Sequence, residues 1–279
     1  MLKYYNNTTK TLTIPYDFNK KLKDIPNDAK IIIFNEDIKN EDIETNEYSN
    51  FNQEIKENVL PVSLHTLIFG YRFNKEIKEN VLPASLHTLT LGRWFDKEIK
   101  ENVLPDSLHT LKLSKAFNQK IKENVLPCSL HTLIFSQDFN QEIKENVLPN
   151  SLHSIKFGIH FNREIKENVL PKSLHTLTFG SYFNQEIKEN VLPKSIKKIG
   201  LYSHCNLINN LPLHLEEVYI KFYYDDESST EVNNLPMTLK KIIIPYEKFL
   251  KYITKIPFGC DTVIKKINAY QIRKSINEI

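Results

Sequence analysis

The stretch Phe51–Arg72 reads FNQEIKENVLPVSLHTLIFGYR, and a near copy of it starts again at Phe73, Phe95, Phe117, Phe139, Phe161 and Phe183. Every step is 22 residues. A fixed period of this length marks an array of stacked units, each a single supersecondary element that cannot bury its own apolar side. Within the unit, Leu64, Leu67 and Phe69 give the spacing L-x-x-L-x-φ. Residues two apart share one face of an extended chain, so Leu67 and Phe69 point the same way and the segment reads as a strand. Pro61 lacks an N–H and turns Leu60 away from helical angles, which marks the strand entry; Gly70 marks the exit. The other half of the unit places Phe51, Ile55 and Val59 four apart. That spacing predicts a turn or two of helix on the return.

Outward from these seven copies the pattern continues in weakened form. Cys205 takes the next phenylalanine position, LPLHLEEVYI from Leu211 repeats the leucine spacing after a three-residue deletion, and LPMTLKKIII starts at Leu235. Upstream, TLTIPYDFN from Thr11 aligns with TLTLGRWFD from Thr88, and IPNDAKIIIF from Ile25 aligns with LPVSLHTLIF from Leu60. The expected organisation is degenerate N-terminal repeats and a cap with a polar insertion over 1–50, near-identical repeats over 51–204, degenerate repeats over 205–244 and a C-terminal cap over 245–279. The polar insertion, Glu36–Asn50, reads as a loop or short helix. Beyond Pro245, YEKFLKYITKI from Tyr246 carries Phe249, Leu250 and Ile253 at helical spacing, with the tail Thr262–Ile279 completing the cap. The fold class implied is a solenoid with a C-terminal capping helix. One face is a parallel β-sheet of about eleven short strands at ~4.8 Å spacing, and the other is made of short helical or irregular returns.

FN-x-x-I followed by LP-x-S-L-x-x-L-x-φ-G resembles the FNIP repeat, a relative of the leucine-rich repeat found in slime-mould and giant-virus proteins. The likeness covers most of the chain. One departure is Glu54, where the family commonly has proline. The resemblance implies a leucine-rich-repeat-like solenoid. Several members carry an F-box ahead of the repeats, which implies recruitment of substrates to a ubiquitin ligase. Here the strand pattern begins by Thr11, so no F-box is expected and an adaptor role of that kind is weakened. Fold alone does not fix function.

Composition narrows the functional classes. The chain of 279 residues is 41% hydrophobic and 25% charged, with 37 basic against 34 acidic residues. Such balance exerts little net pull on phosphates, so nucleic acid is not an expected partner. No run of about 18 apolar residues and no signal-peptide core is present, so neither a membrane span nor secretion is expected. Cys128, Cys205 and Cys260 form no close pair, which favours a reducing, intracellular and cytoplasmic setting. Nucleotide-binding loops and hydrolase motifs are missing, and Glu54, Lys56 and Glu57 recur in nearly every copy as a solvated outer face rather than a unique catalytic pair. The reading is non-enzymatic, without a cofactor.

Two polar columns run through the array. Asn52, Asn74, Asp96, Asn118, Asn140, Asn162 and Asn184 read as a structural ladder, since stacked amides satisfy backbone groups of neighbouring coils. Asp96 cannot donate, so a weaker or water-assisted rung is expected there. His65, His87, His109, His131, His153 and His175 form the other column. Its alternative to a structural role is zinc binding, or a metal-assisted enzyme. That would need paired neutral imidazoles and further ligands, and no carboxylate or thiolate column accompanies them.

Near-identical copies direct attention to the positions that differ. On the solvent side of the strands stand Ile68, Thr90, Lys112, Ile134, Lys156 and Thr178. In the adjoining turn, Tyr71 and Arg72 are replaced in succession by Arg93 and Trp94, by Lys115 and Ala116, by Gln137 and Asp138, by Ile159 and His160, and by Ser181 and Tyr182. Aromatic and arginine side chains dominate interface energetics because they bury much area at modest entropic cost. These positions, above all Tyr71, Arg72, Arg93 and Trp94, are the candidate partner-binding residues. The expected function is a protein-interaction scaffold, serving as a substrate-recognition or host-interaction module, with a self-associating structural array as a further alternative.

Overall fold

A computed structural model describes residues 2–34, 48–188, 190–209, 211–222 and 231–265. Among these residues a single sheet holds thirteen strands in sequence order. Its first strands are β1 (Tyr5–Asn6), β2 (Thr11–Ile14) and β3 (Ile31–Phe34). The near-identical repeats supply β4 (Thr66–Ile68), β5 (Thr88–Thr90), β6 (Thr110–Lys112), β7 (Thr132–Ile134), β8 (Ser154–Lys156) and β9 (Thr176–Thr178). β10 (Lys198–Tyr202), β11 (Glu217–Lys221), β12 (Lys241–Ile244) and β13 (Asp261–Ile264) close the series. Only β1 runs antiparallel, to β2; every later pairing is parallel, with Thr66 beside Thr88 and Thr88 beside Thr110. The register agrees with the sequence alignments even where the period breaks, pairing Ile31 with Thr66 and Glu217 with Lys241.

Each short strand buries its middle residue and leaves the flanking ones half-buried on the solvent side. Leu67 and its copies therefore line the core with Leu64 and Phe69. On the opposite wall Phe51, Phe73, Phe95, Phe117, Phe139, Phe161 and Phe183 stack with centroids 6.0–6.4 Å apart. Burying such a side chain stabilises by about 1.5–3 kcal/mol relative to exposure. No unit does this alone, because each ring is covered by the rings of its neighbours.

Of the two forms expected for the returns, short helical or irregular, the structure takes the irregular one. Among the described residues they are irregular, and Phe51, Ile55 and Leu60 reach the core from extended segments and turns. The physical cause is a second asparagine column: Asn58, Asn80, Asn102, Asn124, Asn146, Asn168 and Asn190 all adopt φ of 61–70°. Asparagine tolerates this left-handed geometry better than other residues with a Cβ, and it ends any helical run. After each such turn the Pro61 carbonyl accepts the Leu64 N–H, and the same contact recurs from Pro26–Ala29 to Pro257–Cys260.

The C-terminal reading needs correction. Tyr246 onward gives no long helix but a 3₁₀ segment, Glu247–Tyr252, with Phe249 buried. The chain then re-enters the sheet as β13, against β12. The edge of β12 is therefore covered by another strand in place of the expected capping helix. Residues 35–47, where most of the polar insertion lies, and residues 266–279 fall outside the described residues.

Candidate interaction surface

The array is held by ladders of polar contacts that repeat from unit to unit. The Asn74 backbone N–H donates to Asn52 Oδ1 at 3.0 Å, and the relation repeats through Asn162 and Asn184. It also extends to Asn19 at one end and Asn206 at the other. Asp96 is no exception: its Oδ1 accepts the Asn118 N–H at 2.9 Å and Gln119 Nε2 at 3.0 Å. The expected weak, water-assisted rung is a direct one, because this ladder asks each side chain only to accept. A serine ladder accompanies it, Ser85 Oγ donating to the Leu64 carbonyl at 2.7 Å and Ser173 Oγ to that of Leu152. On the return face, Lys78 pairs with Glu54, Lys100 with Glu76, Lys122 with Glu98 and Lys166 with Glu142 at 2.6–2.7 Å. These lysines hold the glutamate carboxyls below their ordinary range.

Tight backbone approach shapes the turn after each strand. A Cβ on Gly92 would lie 2.1 Å from the Gly70 carbonyl oxygen, and one on Gly180 would lie 1.7 Å from that of Gly158. Ser114 and Ser136 occupy the equivalent position in two units, where each hydroxyl donates to the carbonyl of the phenylalanine that opens its own unit, Phe95 and Phe117. The next two residues are the variable pair, half-buried or exposed in each unit except for the buried Ser181. Their backbones form a further ladder, the Trp94 N–H donating to the Tyr71 carbonyl and the Ala116 N–H to that of Arg93.

On this ridge the structure brings four of the sequence-derived candidates together. Trp94 is 51% exposed. Its ring lies 5.4 Å from that of Tyr71, under the Arg72 guanidinium at 5.9 Å, while Arg93 sits 4.9 Å over Tyr71. Tyr48, which the period does not single out, stacks on Tyr71 at 3.9 Å. Further along the ridge, Asp138 contacts His160 Nδ1 at 3.0 Å and His160 packs at 5.2 Å on Tyr182, itself exposed. Lys115, half-buried, lies between the two groups. Ile68, Thr90, Lys112, Ile134, Lys156 and Thr178 form a separate half-buried column on the solvent face of the sheet.

β10 and β11 run two residues past the three-residue strands, carrying Tyr202 and Lys221 onto that face as neighbours. Lys221 Nζ lies 5.5 Å over the Tyr202 ring and 5.3 Å over Tyr219. Burial lowers its pKa to about 8 and also lowers that of Lys156. The repeat pattern gives no hint of this, because it arises where the period ends.

The histidine column does not converge on an ion. Successive rings stack face to face at 5.0–5.3 Å. In His65, His87, His109, His153 and His175, Nδ1 sits 2.5–2.7 Å from the carbonyl oxygen of a serine two residues earlier. A carbonyl only accepts, so Nδ1 carries the proton, and the Nε2 lone pairs of stacked rings run side by side rather than toward a shared centre. Among the described residues no group of three or more His, Cys, Asp or Glu side chains could hold a metal ion. None of their helices is long and apolar enough to cross a membrane.

Comparison with known proteins accords with this geometry. No curated protein matches the chain. The crystal structure of CroV588, described as a novel circular LRR protein, is 37% identical, with a TM-score of 0.64 over 89% of this chain and 42% of that one. This chain thus spans less than half the length of that protein. The family model for the FNIP repeat matches four times in tandem, at residues 51–94, 95–138, 139–182 and 183–223. With more than half of its residues inside that match, the chain belongs to the FNIP repeat family.

Proposed function

We propose that the chain is a non-enzymatic protein-interaction scaffold whose partner is gripped at the Tyr71–Trp94 ridge and lies along the adjoining sheet face. Leucine-rich-repeat-like solenoids commonly mediate protein interactions, and families built on them are generally scaffolds without catalysis. The observation that carries the reading for this chain is the half-exposed Trp94, packed by Tyr71 and Arg72, with Arg93 over the Tyr71 ring beside it. Rings and guanidinium groups already held in place lose little freedom on binding, so more of their contact energy reaches the complex. Three cysteines, all free, support a reducing intracellular setting for that partner.

The test is affinity capture from lysate with wild type and the triple variant Y71A/R93A/W94A, with thermal melts in parallel. Proteins held by wild type and lost by an equally stable variant support the ridge. Equal recovery by both defeats it.

A further inference from the structure

Charge on this molecule is segregated by face, although its sum is near zero. The acidic side chains of the repeats sit mainly in the returns, where Glu54, Glu76, Glu98 and Glu142 are each matched by a lysine of the next unit. On the sheet face of β4–β9 and in the turns after these strands the variable positions carry Arg72, Arg93, Lys112, Lys115 and Lys156, against Asp138 alone, and Asp138 is held by His160. Toward β11 the imbalance sharpens. Glu217 is engaged by Lys198 at 3.3 Å, and Glu216 by Lys197 and Lys240. Among the described residues neither Lys156 nor Lys221 meets a carboxylate; Lys221 has only the faces of Tyr202 and Tyr219. Gly200, between Thr178 and Tyr219 in register, puts no side chain into the gap between them.

A partly desolvated ammonium without a counter-charge is unfavourable, and a carboxylate brought to it recovers that cost. We propose that the solvent face from β8 to β11 binds an acidic segment of a partner polypeptide, its carboxylates meeting Lys156 and Lys221 over the Gly200 gap. The inference rests on the scaffold reading above and names the chemistry of what the scaffold holds. Tyrosine rings on either side of Lys221 favour a peptide backbone and short acidic side chains lying flat. Burial weakens the charge on both lysines in the free protein, and a bound carboxylate would restore it, so binding should take up protons near pH 8.

The experiment is fluorescence anisotropy with a labelled peptide of alternating Glu and Ser, its Gln-for-Glu analogue and an RNA oligonucleotide of equal charge. The proteins are the full chain and its variants K156T, K221Q, K156T/K221Q, W94A and D225N/D226N/E227Q. K156T installs the residue that Thr90 and Thr178 supply at the same position, so the fold tolerates it, and matching melts verify this for K221Q. Expected are saturable binding of the glutamate peptide, none of the glutamine analogue, at least about tenfold weaker binding in the double variant, and no change in W94A. Unchanged affinity in the double variant, no binding of the glutamate peptide, or RNA bound equally well would overturn the proposal. So would binding that emerges only in D225N/D226N/E227Q, which would assign the lysines to the chain's own acidic run. Because W94A reports on the ridge alone, the lysine face and the ridge can fail separately.

Discussion

The Arg93 guanidinium lies 4.9 Å over the ring of Tyr71, which holds the same turn position one repeat earlier. The contact joins two residues that break the period in different copies, so it exists once in the array. Trp94→Ala should remove the most exposed part of this cluster. The expected result is loss of partner affinity by about 2 kcal/mol or more, near thirtyfold, with stability changed by less than about 0.5 kcal/mol. Calorimetric titration with any partner recovered by capture, alongside a thermal melt, checks both halves.

Asn118 accepts the Asn140 N–H and the Gln141 amide. Asn118→Ala removes both bonds at a rung open to solvent, at a cost of about 0.5–1.5 kcal/mol. Asp96→Asn keeps the acceptor and should be nearly neutral. Urea midpoints for the two variants decide; a large loss in D96N would show that charge, not acceptance, matters at that rung.

Asn124 stands at φ 61°. Asn124→Gly should fold with little change. Asn124→Val should lose about 1–2 kcal/mol, because a β-branched residue is strained in left-handed geometry. Equal midpoints for the two variants would contradict a left-handed turn at this position.

Glu216 is bonded to Lys240 at 2.8 Å and Lys197 at 2.9 Å, which lower its pKa from 4.5 to about 2. A carboxyl whose folded pKa lies below its unfolded value contributes stability above pH 4.5 and loses it as pH falls through about 2. Wild type should therefore weaken between these limits more than Glu216→Gln does, and added salt should shrink the difference, since the pair is solvent-exposed. Denaturation midpoints taken from pH 6 down to about pH 2 track the effect; parallel curves for the two proteins would rule the linkage out.

The core was legible because Leu64, Leu67, Phe69 and Phe51 recur at one spacing, and apolar periodicity is what a sequence displays most directly. The return was not, because Phe51, Ile55 and Val59 match helical spacing while Asn58, which shapes the turn, has no apolar signature. β13 hid behind a shortened unit, although Ile256–Pro257 stands where Leu60–Pro61 does and keeps the proline-to-Cys260 contact. The ridge could be found from Tyr71, Arg93 and Trp94, since exceptions stand out in a repeat. Lys221 could not, for its surroundings come from the two extra residues of β10 and β11, a lengthening that only the folded register reveals.

The asparagine ladder treats every unit alike, with each rung closing on the one before. A whole repeat can therefore be gained or lost without disturbing any remaining junction, and the stretch between Trp94 and Lys156 acts as a ruler whose graduation is one strand. Each added copy would move the aromatic ridge and the lysine face apart by ~4.8 Å. The length of the array would then select partners by the distance between their two contact points, a property no single residue encodes.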